Sequence, residues 1–121
     1  MGRKFYFKDL KIWQKGVDLT DGIYTVTEKF PRDQQYVLSN QMQRSALSIP
    51  SNIAEGNVRK STKEFERFLN IANGSCAELL TQLVVAKRRS YISEESYIKL
   101  EAAAEEISRM ILGLIGSLRG N

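Results

Sequence analysis

Four stretches of this chain carry apolar residues three and four positions apart, and no useful length alternates with period two. That pattern restricts the fold more than any other feature. A 3.6-residue period puts such residues on one face of a helix, whereas a half-buried strand needs period two. From Leu10 to Phe30 two stripes run side by side. One is Ile12, Gly16, Leu19, Ile23, Val26 and Phe30, and the other is Leu10, Trp13, Val17, Thr20, Tyr24 and Thr27. Two stripes on one helix bury a wide face. Phe30-Pro31 should end it, because the residue before proline is pushed out of helical geometry.

Three more helices follow by the same rule. The second is expected over about 35–57, with Leu38, Met42, Ser45, Ile49 and Ile53 inward. Ser61-Thr62-Lys63-Glu64 reads as a capping box opening a third over about 62–90. Its stripe is Phe65, Leu69, Ala72, Cys76, Leu79, Leu83 and Ala86, and Lys87, Arg88 and Arg89 suit its negative end. Ser93 should cap a fourth over about 93–118, with Glu94 and Glu95 in its first turn. Tyr97, Leu100, Ala104, Ile107, Ile111, Leu114 and Leu118 form the last stripe. With the first helix placed at about 9–30, the expected fold is all-α: an antiparallel up-down-up-down four-helix bundle. At 121 residues the chain suffices for one domain spanning 1–121 and is too short for two.

The residue inventory excludes much chemistry. There is one cysteine and no histidine, so neither an internal disulfide nor histidine acid–base catalysis is possible. A zinc site would rest on one thiolate plus carboxylates. Glu55, Glu64 and Glu78 are the only carboxylates that invite a metal-bridged reading. Bundles of that kind use Glu-x-x-His, which this chain lacks. The expectation is no enzyme and no metal. No apolar run approaches the ~20 residues of a membrane span. The start, MGRKFYFKDLKIW, has charge within its apolar part and no small-residue cleavage site, so a cytoplasmic address is expected.

The segment Gln41–Gly56, QMQRSALSIPSNIAEG, departs from ordinary helix composition. Pro50 in a helix interior donates no hydrogen bond and crowds the carbonyl of Ala46, at about 3 kcal/mol. A bend near residues 46–50 is expected, with Ser45, Ser48 and Ser51 bonding the freed carbonyls. Gln41, Arg44, Ser48, Asn52, Glu55 and Arg59 form one polar stripe, read either as a solvated face or as a face packed on another polar surface, a subunit or an RNA backbone. Gly56 is read as a left-handed cap. In the third helix, Gly74 and Ser75 lie in a run of small residues that would allow close helix approach, and Cys76 is read as an inert core residue.

Two surpluses remain. Leu80, Val84, Phe68, Ile71, Met110, Leu112 and Ile115 flank the main stripes, and such an apolar excess implies a homo-oligomer. The plainer reading is a well-filled monomer with a few exposed leucines. Positive charge is also uneven: net charge is +4, with +4 in residues 1–15 and +3 in residues 36–63. Arg59, Lys60 and Lys63 stand beside a helix N-terminus, a workable anion site, although a basic loop is more often simply a loop. Arg44, Arg59, Lys60 and Lys63, with Lys4, Lys8, Lys11 and Lys15 as a second patch, are the candidate nucleic-acid contacts.

SIPSNIAEG with Arg59, then Ser-x-x-Glu-Phe and IANGSCAELLTQL, resembles the four-helix-bundle proteins encoded in intervening sequences of 23S ribosomal RNA genes. Leu10-x-x-Trp13, Ile23-Tyr24, Phe30-Pro31, Gln41 and Tyr91-Ile92 extend the likeness over nearly the whole chain. Two departures remove charge: Gln34-Gln35 where the family has an acidic residue, and Leu80 where it has glutamate. The resemblance implies a ring-shaped homopentamer without enzymatic activity or cofactor. A distant relative, the accessory protein of diversity-generating retroelements, binds a reverse transcriptase and nucleic acid. By that analogy the expected partners are a second copy of the chain, RNA or DNA, and a nucleic-acid-processing protein. The competing expectation is a protein–protein scaffold with no nucleic-acid affinity.

Overall fold

The computed structural model describes residues 6–120. Four helices account for most of them: α1 (Lys11–Thr27), α2 (Asn40–Asn57), α3 (Thr62–Arg88) and α4 (Glu94–Leu118). A 3-10 turn (Phe7–Asp9) precedes α1, and a π-helical turn (Gln35–Ser39) leads into α2. Each helix packs mainly on its neighbours in sequence, and α1 closes the square against α4. The seam between α2 and α3 is the most extensive and that between α1 and α4 the thinnest. This is the antiparallel four-helix bundle that the periodicity predicts.

The stripes explain the packing. Ile12, Leu19, Ile23, Met42, Ile49, Ile53, Leu69, Leu79, Leu83, Ile107 and Ile111 are all buried in one shared core. Of the apolar surplus, Ile115 is buried, and Leu80 and Met110 pack against the core, while Ile71 and Leu112 stay exposed. Side-chain hydrogen bonds tie the seams. Gln43 Nε2 donates to Thr27 Oγ1 at 2.9 Å between α2 and α1. Ser108 Oγ donates to Asn73 Oδ1 at 2.6 Å between α4 and α3.

Helix ends follow local chemistry. Ser61 Oγ accepts from Glu64 N at 3.0 Å and Ser93 Oγ from Ser96 N at 3.1 Å, so both serine caps form, while the Glu64 carboxylate accepts from Arg67. The α3–α4 turn is a Schellman motif. Tyr91 N donates to Ala86 O and Ser90 N to Lys87 O, both at 2.9 Å, with Ser90 at φ 63°. Tyr91 then lies 5.3 Å, centroid to centroid, from Phe30, which remains buried beyond the end of α1.

Gln41–Gly56 needs several corrections. α2 keeps its helical assignment from Asn40 to Asn57 with Pro50 inside it, and a π-helical turn at Gln35–Ser39 precedes it. The carbonyl that Pro50 leaves free, Ala46 O, accepts from Thr20 Oγ1 of α1 at 3.1 Å, not from the neighbouring serines. The same hydroxyl lies 2.8 Å from Gly16 O. Gly16 leaves room for the proline: a Cβ built there would stand 3.2 Å from Pro50 Cβ. Gly56 is not a left-handed cap. It lies inside α2, buried, where an added Cβ would meet Phe68 Cβ at 2.7 Å. Gly74, in contrast, is exposed with nothing within 4 Å of its Cβ position, so it serves no close approach within the chain.

The polar stripe of α2 is not one surface. Gln41, Arg44, Glu55 and Arg59 are exposed, but Ser48 and Asn52 are half-buried. Ser48 Oγ lies 2.8 Å from Ser75 Oγ of α3, and Asn52 Nδ2 donates to Ser48 Oγ at 2.9 Å. Ser48 thus joins α2 to α3, and Asn52 bonds within its own helix.

Candidate nucleic-acid interface

In an antiparallel bundle, the start of α1, the α2–α3 loop and the end of α4 meet at one end. There they form a cleft of about 310 Å³, lined by Leu10, Asn57, Arg59, Lys60, Ser61, Thr62, Phe65, Leu114, Ser117 and Leu118. Its floor is apolar, since Leu10, Phe65, Leu114 and Leu118 are half-buried and packed on the core. Among the described residues no carboxylate lines it. Lys8 and Lys11 flank Leu10 in sequence and are exposed, so they belong to the same end. Lys8 and Lys11 of the first basic stretch thus lie at the same end as Arg59 and Lys60, while Lys4 lies outside the described residues.

The cations there are not equivalent. Arg59 Nη2 pairs with Glu55 Oε2 at 2.7 Å, and its guanidinium lies 5.0 Å from the Phe68 ring centroid. Arg67, which the sequence reading passed over, holds the same ring at 4.5 Å and pairs with Glu64 at 3.2 Å. Arg67 holds the Glu64 carboxyl below its usual range, chiefly through the hydrogen bond. Arg119, also passed over, donates from Nε to Glu66 Oε1 at 3.0 Å and tethers the end of α4 to the start of α3. That bond likewise lowers the Glu66 carboxyl. Lys8, Lys11, Lys60 and Lys63 form no ion pair among the described residues, and Lys63 adds a smaller electrostatic pull on Glu64.

Two candidates fall elsewhere. Arg44 is exposed on α2, fifteen residues before Arg59 and so roughly 20 Å away along the helix axis. Lys15 Nζ pairs with Glu106 Oε1 at 3.3 Å, beside a second cleft of about 210 Å³ that Asp18 also lines. Mixed charge there suits an anion less well than the end of the bundle does.

The other reactive groups assemble no second centre among the described residues. Glu55 and Glu64 are in ion pairs, and no three acidic or cysteine side chains gather as a metal site among the described residues. Cys76 is buried, and burial pushes its thiol up to about 11, so it is a poor nucleophile at neutral pH. No described helix is long and apolar enough to cross a membrane.

No curated protein matches the chain. A solved structure does: a protein with unknown function from the S23 ribosomal protein family of Bacteroides thetaiotaomicron VPI-5482. It superposes with a TM-score of 0.80 at 28% identity, over 86% of this chain and 97% of that one. Its fold is that of the bundle described above. The model of the 23S rRNA-intervening sequence protein family matches residues 8–113, from Lys8 beside the cleft to Gly113 near the end of α4, and the chain belongs to that family.

Proposed function

We propose that this protein is a non-enzymatic homo-oligomeric bundle, assembling as a pentamer in the cytoplasm, that binds RNA or DNA through the end of the bundle carrying the cleft. One observation carries this reading: among the described residues, Lys8, Lys11, Lys60 and Lys63 stand at one end of the bundle with Arg59 and form no ion pair. Such cations contact phosphates, which gives weak sequence preference and strong salt dependence. The oligomer draws support from apolar side chains left at the surface, with Leu47 at 50%, Val58 at 59%, Ile98 at 54% and Leu112 at 53% exposure. A nucleic-acid-processing protein is a further candidate partner, by the family resemblance alone.

Those same apolar side chains favour a second reading, a protein–protein scaffold without nucleic-acid affinity. Joint replacement of Arg59, Lys60 and Lys63 by glutamate separates the two. Under the leading reading, nucleic acid co-purifies with the parent protein and is lost from the variant. Under the second, none co-purifies with either, and the pull-down partners are unchanged. Light scattering on the parent tests the pentamer, and a monomer would overturn it.

A further inference from the structure

A surface that only neutralises phosphates needs no cavity, yet the basic end of this bundle has one. Its chemistry divides in two. The floor, with Phe65, Leu114 and Leu118, offers an apolar bed for a flat body. The rim offers Lys60, which has no acidic partner among the described residues, together with the Asn57 amide and the Ser117 hydroxyl. A ligand fitted to both halves has an apolar planar body, polar ring edges and an anionic group alongside. At about 310 Å³ the cleft stands at the small end of ligand sites, room for one such unit. The positive end of the α3 dipole adds to Lys60 without supplying the site by itself.

We infer that the cleft takes one unpaired nucleotide of a bound nucleic acid: the base on the leucine and phenylalanine floor, its ring edge at Asn57 and Ser117, and its phosphate at Lys60. This rests on the nucleic-acid reading above and narrows it. Bases inside an A-form duplex are stacked and their major-groove edges are out of side-chain reach, so only a bulge, loop or end can fill the cleft. The protein therefore distinguishes unpaired from fully paired nucleic acid, while Lys8, Lys11 and Lys63 hold the backbone of either. Shape provides the discrimination and charge provides the affinity.

The test uses two fluorescein-labelled RNA duplexes that differ by a single bulged uridine, read by anisotropy at low salt. The parent should bind the bulged duplex about fivefold or more tighter, the low end of what stacking one base contributes. Ser117→Leu, at an exposed rim position, fills the mouth without changing charge. It should bring the bulged duplex down to the affinity of the paired one and leave the paired one unchanged, which also shows that the variant is folded. Equal binding of both duplexes by the parent overturns the inference while the nucleic-acid reading stands. A preference that survives Ser117→Leu overturns it too, since the base would then sit elsewhere. Binding of neither duplex removes both readings together.

Discussion

Thr20 shows how a single side chain allows a proline in mid-helix. Pro50 donates nothing to Ala46 O, and a buried carbonyl without a partner costs about 1–3 kcal/mol. Thr20 Oγ1 supplies the missing donor from the neighbouring helix. Thr20→Val keeps the shape and removes the hydroxyl, so urea unfolding should show a loss of about 1–3 kcal/mol. Thr20→Ser should recover most of it. Cys76 gives a prediction in pH. Its thiol is pushed up to about 11 in the fold, against roughly 8.5 in an unfolded chain. The raised value favours the folded state fully below the unfolded pKa, and the benefit is lost as pH rises through the folded one. Stability measured from about pH 8 to pH 10 should therefore decline more steeply in the parent than in Cys76→Ala. Parallel declines would mean that the thiol is not buried as described.

At the scale of elements, two glycines that look alike in sequence behave in opposite ways. Gly56→Ala brings a Cβ to 2.7 Å from Phe68 Cβ, an atom fixed to the backbone of α3. The helices must separate, and a net loss of about 1–2 kcal/mol is expected even though alanine is the better helix former. Gly74→Ala meets nothing in the chain and should gain up to about 1 kcal/mol by the same propensity. Thermal melts of the two variants should move in opposite directions. The contrast shows how far sequence reading reaches. Stripes and caps are local, so the four helices and the roles of Ser61 and Ser93 were legible. Gly56 near a helix end reads as a cap because nothing local reveals Phe65 and Phe68 folding back against it. Thr20 reads as one more position on an α1 stripe, because the carbonyl it serves is 26 residues away. Of the candidate site, the cations were legible as residues. Their sorting was not, since only geometry ties Arg59 to Glu55 and Lys15 to Glu106. Arg119 joined the site only through the antiparallel return of α4.

At the scale of the whole molecule, the account depends on topology. Antiparallel helices bring Lys8 and Lys11 to the same end as Arg59 and Lys60. There Lys8, Lys11, Lys60 and Lys63 form no ion pair among the described residues. The central claim is that these cations hold a nucleic-acid backbone. The most direct measurement is the affinity of the parent protein for a labelled structured RNA as salt is raised. Each phosphate neutralised releases counterions, so these four lysines predict a slope of log affinity against log salt of roughly −3 per protomer. Replacing Lys60 and Lys63 with alanine should flatten that slope by about half. Binding that is undetectable at low salt, or that does not weaken as salt rises, would contradict the account.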